Sequence, residues 1–213
     1  MSIHYYSGHF NKPLPSQMVK LLQSDIKNRQ SIAIIYGYAP DEHLNFAKDT
    51  WLDPARLVFD EYHWIDRQMP KEKAHELLRS TSVIILMGGY TTLQNAFLAE
   101  CELEAAIKKS NAAVIIGFSA GAKNMGAKLV CAKSNGYVTE INGIFSGLGL
   151  DNFCYEPYFS LTNDELIMSE LLPLSQELDI YATSDASFIR AENGKVAAFG
   201  DAYLISDSTI EKI

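Results

Sequence analysis

Apolar residues fall along this chain in two textures. Residues 31–36 (Ser-Ile-Ala-Ile-Ile-Tyr), 82–87 (Ser-Val-Ile-Ile-Leu-Met) and 112–116 (Ala-Ala-Val-Ile-Ile) are short β-branched runs without alternation. That is the pattern of strands covered on both faces. Between the last two, residues 91–109 carry apolar positions at helical spacing (Leu93, Phe97, Leu98, Leu103, Ile107), with Lys108 and Lys109 in the final turn. Cations suit that end of a helix dipole. Residues 15–28 and 70–80 read as two further helices. Strands alternating with helices in this way predict an α/β fold: a mostly parallel sheet flanked by helices on both faces.

The last third changes texture. Residues 130–145 contain Asn135-Gly136 and Asn142-Gly143 and read as short strands with tight turns. Thr162-Asn163-Asp164-Glu165 forms a capping box for a helix running to Gln176. A strand is expected over 179–183. Residues 187–191 and 195–199 flank Glu192-Asn193-Gly194, a strong β-hairpin signal. With no repeat, low-complexity tract or linker, residues 1–213 read as one domain.

Charge narrows the partners. Eighteen Lys plus Arg against 26 Asp plus Glu leave a formal −8 over 213 residues, the wrong sign for neutralising phosphates, so nucleic acid is not the expected partner. No run approaches the ~20 apolar residues of a membrane span, and no membrane association is expected. Met1-Ser2-Ile3-His4-Tyr5-Tyr6 lacks a basic segment followed by an apolar stretch, so no secretory signal is read. Cys101, Cys131 and Cys154 are odd in number and widely spaced. They read as reduced thiols of a cytoplasmic protein rather than as disulfides or a zinc site.

Candidate chemistry sits at the ends of two predicted strands. Gly117-Phe118-Ser119-Ala120-Gly121-Ala122 follows the run 112–116 and precedes a helical pattern over 122–129. A G-x-S-x-G between buried strand and helix is a nucleophile elbow: the turn is sharp, the serine backbone strained, and the flanking glycines leave room for neighbouring strands. The amide of Ala120 would face a developing oxyanion. Met87-Gly88-Gly89-Tyr90-Thr91 ends the preceding strand. Ligands of open parallel sheets bind off those ends, and Gly88 or Gly89 can supply a second oxyanion amide.

These motifs, with Gly147-Leu148-Gly149-Leu150 shortly before a Pro-aromatic pair, resemble peptidase family S51, which includes aspartyl dipeptidase and cyanophycinase. The resemblance implies a class I glutamine amidotransferase-like (flavodoxin-like) fold. It also implies serine chemistry on small peptides or amides, often with an acidic residue at or near the cleaved bond, and no metal or organic cofactor. By the same resemblance Ser119 matches the nucleophile, and Gly88, Gly89 and Ala120 match the oxyanion hole. The family's His falls on Tyr158 in Glu156-Pro157-Tyr158-Phe159, and its acid falls on Asp185 in Thr183-Ser184-Asp185-Ala186-Ser187. Self-association as a homodimer stays open.

The histidine is the departure. His4, His9, His43, His63 and His75 all precede Ser119, so neither this family's order of residues nor that of α/β-hydrolases is available. Loss of a general base costs on the order of 10⁴ to 10⁶ in rate. Tyrosine, with an ordinary pKa of about 10, is a feeble base near neutrality. Two other sources of a base are conceivable. Lys123, four residues after Ser119, is expected to face solvent. His43 and His63, with Asp41, Asp60 and Asp66 nearby in sequence, show no pattern that singles either out. Asp49 and Asp53, and likewise Glu100, Glu102 and Glu104, lack metal-ligand spacing and read as solvated faces. Five arginines, Arg190 nearest in sequence to Asp185, are available for an acidic substrate group. Two readings follow: a serine hydrolase with altered partners, or a catalytically impaired relative that keeps its pocket for a small ligand or partner.

Overall fold

The computed structural model describes residues 2–8, 13–37, 45–131 and 141–213. His9, Asp41, His43 and the Asn135-Gly136 turn lie outside them. Five parallel strands form the body of the first sheet: β1 (Ile3–Ser7), β2 (Ser31–Ile35), β3 (Glu61–Ile65), β4 (Val83–Leu86) and β5 (Val114–Phe118). A hairpin of β10 (Phe188–Glu192) and β11 (Lys195–Phe199) adds to β1 antiparallel, giving the order β11-β10-β1-β5-β4-β2-β3.

Successive residues of the central strands feed two different cores, as expected for strands buried on both faces. Ile32, Ile34, Val83, Ile85, Val114 and Ile116 pack with helix α1 (Ser16–Asp25) and a π-helical segment, Ala47–Leu52. Ala33, Ile35, Ile84, Leu86 and Ile115 pack with α2 (Lys71–Ser80), α3 (Thr91–Glu100), α4 (Leu103–Lys108) and α5 (Ala120–Met125). Helices therefore cover both faces.

The chain then builds a second sheet of six strands, in the order β13-β12-β9-β8-β6-β7. Its members are β6 (Lys128–Cys131), β7 (Gly143–Ser146), β8 (Cys154–Pro157), β9 (Ile180–Thr183), β12 (Ala202–Ser206) and β13 (Thr209–Lys212). Phe153, Tyr155 and Ala202 reach into the core on the α5 face of the first sheet, so α5 lies between the two sheets.

Several expectations shift. The helix predicted over 91–109 breaks at Glu102, whose φ of +50° is left-handed, leaving α3 and α4. The capping residue of the 164–174 helical segment is Asn163, which accepts from the Leu166 amide at 3.2 Å, rather than Thr162. That segment widens to a π-helix over Ile167–Leu171. The predicted hairpin forms, with Asn193 and Gly194 both at positive φ as a two-residue primed turn requires. No helix among the described residues is long and apolar enough to cross a membrane.

Candidate active site

Ser119 occupies the turn from β5 into α5 with φ 51° and ψ −112°, a left-handed backbone that a serine adopts only when its surroundings impose it. Both ends of the residue are held. Its N–H donates to the Ser7 carbonyl at 2.7 Å, and its carbonyl accepts from the Lys123 amide at 3.0 Å. The flanking glycines are required by close approach: a Cβ on Gly117 would lie 2.6 Å from Ala122 Cα, and one on Gly121 only 2.1 Å from the Leu86 carbonyl oxygen. Helix α5 thus sits hard against β4 and β5. The register places Leu86 beside Gly117, so the Gly88-Gly89 turn leaves its strand level with Ser119. Gly89 has a φ of +140°.

A buried amide network fixes these two turns to one another. Gln94 on α3 donates to the Met87 carbonyl at 2.8 Å. Asn124 on α5 donates to Gln94 Oε1, to the Thr91 carbonyl and to the Ala120 carbonyl, and accepts from Asn95. Neither Gln94 nor Asn124 stood out in sequence, because an amide on a helix signals nothing until its partners are known.

Tyr158 follows β8 directly, with a φ of +58°. Its ring lies against Gly8, where a Cβ would come 3.2 Å from Tyr158 Cε1. Gly8 is the residue after Ser7, whose carbonyl holds the Ser119 amide. The Ser7-Gly8 segment therefore borders both the elbow and the tyrosine. Asp185 lies in the exposed turn between β9 and β10, and its carboxylate accepts from the Ala186 amide at 3.1 Å. The same turn is tied to β1 through Ser7 Oγ, which donates to the Ser187 carbonyl at 2.9 Å. The ends of β1, β5, β8 and β9 thus bring the backbone segments that carry Ser119, Tyr158 and Asp185 to one margin of the described fold. Among the described residues no group hydrogen-bonds Ser119 Oγ.

The described histidines lie elsewhere. His4 bonds Asp151 Oδ2 through Nδ1 at 2.6 Å and Ser2 Oγ through Nε2 at 2.7 Å. It sits three residues, or about 10 Å, down β1 from Ser7. His63 lies on β3, separated from β5 by β4 and β2, hence by about 14 Å, and faces Glu61 at 3.4 Å. His75 donates to the Cys101 carbonyl at 2.8 Å.

One expectation about charged groups is overturned. Lys123 does not face solvent. It is buried, 2.9 Å from Glu156 Oε2, and donates to the Val130 carbonyl at 2.8 Å; the second sheet, invisible to a local helical pattern, covers that side of α5. Arg190, to which the sequence assigns no role, pairs with Asp25 at 2.8 Å and Glu192 at 2.9 Å. By contrast Glu100, Glu102 and Glu104 are exposed and pair with Arg67, Lys71 and Lys108, as a solvated face should. Cys131 and Cys154 are buried free thiols, and burial pushes the Cys154 thiol up to about 12. No group of three metal-ligating side chains occurs among the described residues.

Solved structures share the architecture. A peptidase from an acI-B1 Actinobacterium superposes with a TM-score of 0.74 at 16% identity, covering 100% of this chain and 94% of that one. A candidate peptidase E from Listeria monocytogenes EGD-e gives 0.65 at 19% identity, covering 93% and 98%. Among curated proteins none matches. The family model of peptidase family S51 matches residues 42–199, about three quarters of the sequence, a range that holds β3 through β11. On that match, the chain belongs to peptidase family S51.

Proposed function

We propose that this protein is a serine-type hydrolase of small peptides or amides, with an acidic residue at or near the scissile bond, and that Ser119 is its nucleophile. The observation that carries this reading is the backbone of Ser119. A φ of 51° with ψ −112° costs on the order of 1–3 kcal/mol. Presenting a hydroxyl off the sheet edge, beside the amides of Ala120 and the Gly88-Gly89 turn, gives that strain a purpose. Ser119 Oγ attacks the substrate carbonyl, and charge on the carbonyl oxygen is met by those amides. Tyr158 serves as a hydrogen-bond partner and as an acid towards the leaving amine. Asp185 holds the position of the third member. The serine proton passes to water or hydroxide, so turnover is slow, on the order of 10⁴ below a complete triad. Three free thiols fit a reducing compartment such as the cytoplasm.

A fluorophosphonate probe tests the nucleophile. Wild type should be labelled at a single site and Ser119→Ala should not; absence of labelling, together with no cleavage of Asp-containing dipeptides, rejects the hydrolase. With no described histidine at the site, the labelling rate should climb with pH through 6–8 without an inflection near 6.5. Tyr158→His should raise the rate and introduce that inflection. The second reading, a ligand-binding relative that no longer turns over, is favoured by the same unaccompanied Ser119 Oγ. It predicts dipeptide binding by calorimetry without labelling.

A further inference from the structure

The buried pair Lys123–Glu156 stands outside the chemistry above, yet it lies one turn after Ser119 and two residues before Tyr158. Its side chains retain 7% and 1% of their exposure. Burying two opposite charges is expensive, and apolar side chains of similar volume commonly serve stability as well or better. Stability alone therefore gives little reason for this pair.

The strand registers suggest what it does instead. β8 runs beside β9 over four residue pairs, Cys154↔Ile180 to Pro157↔Thr183. Against β6 it pairs at Lys128↔Cys154 alone. Two residues further along that same register, Val130 and Glu156 would face one another across the ladder. There no ladder pair joins the strands, and the Lys123 ammonium bridges them instead. It donates to the Val130 carbonyl at 2.8 Å and meets Glu156 Oε2 at 2.9 Å. The backbone of the same residue holds the Ser119 carbonyl. One residue thus fixes the elbow through its amide and, through its side chain, the point at which β8 leaves β6.

We propose that Lys123 and Glu156 are positioning residues: an ammonium wedge between β6 and β8 that sets Tyr158 against the Ser119 elbow. This rests on the hydrolase reading for its effect on rate, but not for its effect on the place of Tyr158. Neither residue is assigned a catalytic role, since the Lys123 ammonium is held by the Val130 carbonyl and the Glu156 carboxylate and makes no hydrogen bond to the serine hydroxyl.

The test pairs Lys123→Met/Glu156→Leu with Tyr158→Phe in a double-mutant cycle, reading fluorophosphonate labelling rate and thermal midpoint. The apolar pair should fold with a Tm within about 5 °C of wild type. Its labelling should slow about tenfold or more, as expected of a misplaced partner group. In the Tyr158→Phe background the same replacement should cost little further, because its effect runs through the phenol. An unchanged rate, or an equal loss in both backgrounds, overturns the wedge. A second readout is independent of activity. In protein carrying 3-fluorotyrosine, the ¹⁹F resonance of Tyr158, assigned by its loss in Tyr158→Phe, should move in the apolar variant. If wild type never labels, the hydrolase reading fails while this resonance still decides the wedge; an unmoved resonance rejects it.

Discussion

At the scale of single residues, strain and charge carry the argument. Ser119 holds a positive-φ backbone that strains alanine as it strains serine but leaves glycine unstrained. Ser119→Gly should therefore be more stable than Ser119→Ala by about 1 kcal/mol, or about 2–4 °C in Tm for a chain of this size. Calorimetry of the two inactive variants checks this, and equal midpoints would mean the turn is unstrained. Asp151 gives a pH dependence. Burial alone would raise its pKa, but hydrogen bonds from His4 and Tyr6 outweigh burial and hold the carboxyl below the ordinary 3.8. A carboxylate depressed in this way stabilises the fold above its unfolded pKa, and that contribution disappears as pH falls through the folded one. Asp151→Asn should cost about 1–3 kcal/mol at pH 7, a gap that closes below about pH 4. Ser119 was legible in sequence because its motif spells out a backbone requirement. Asp151 was not, because its partners lie 145 and 147 residues away. Lys123 was misjudged for a related reason: a helical position four residues on from the nucleophile says nothing about which side another sheet will cover.

At the scale of elements, the strands read most clearly were those whose two faces are both apolar. β2, β4 and β5 announce themselves as unbroken β-branched runs. β1 lies in the middle of the same sheet and was missed: Ile3-His4-Tyr5-Tyr6-Ser7 carries polar residues that are buried only because Asp151, Ser2 and Ser187 satisfy them. β3 at the sheet edge, with partly exposed Tyr62, His63 and Trp64, gave no apolar run either. Helix α5 shows how a neighbour can reverse a propensity. Replacing a helical glycine with alanine ordinarily gains up to about 1 kcal/mol. At Gly121, however, the new Cβ would meet the Leu86 carbonyl oxygen at 2.1 Å and its carbonyl carbon at 2.5 Å, backbone that cannot yield as the end of a flexible side chain would. Gly121→Ala should lose about 1–3 kcal/mol or more, read as a fall in urea midpoint, and should depress Ser119 labelling as the elbow shifts. A gain in stability would mean that α5 lifts freely from β4, and the rigid elbow would have to be abandoned.

At the scale of the molecule, the question is whether two sheets behave as one. The second sheet has its own apolar cluster, with Val130, Cys154, Leu166, Leu171, Ile180 and Ile205, which would allow it to melt alone. Against this stands the core on the α5 side of the first sheet, where Tyr6 of β1 packs on Phe153 and Tyr155 with ring centroids 4.9 and 5.5 Å apart. The Ser119 margin depends on the same junction, since β1 and β5 belong to one sheet while β8 and β9 belong to the other. If the site is to keep its geometry, unfolding of the second sheet alone must be suppressed, and the two sheets should lose structure in one transition. Each sheet carries a reporter. Trp51, buried with its ring 4.0 Å from that of Phe118, reports the first through fluorescence in a Trp64→Phe background. Cys154, fully buried on β8 with its thiol pushed up to about 12, reports the second through alkylation, for which it must become exposed. Along a urea series the loss of Trp51 signal and the gain of Cys154 alkylation should share a midpoint, while the half-buried Cys101 reacts earlier. Alkylation of Cys154 at clearly lower urea than the Trp51 transition would show the second sheet opening on its own. Tyr158 and Asp185 would then be carried on a separable unit, and the Lys123–Glu156 link, which crosses from α5 to β8, would be the contact to strengthen first.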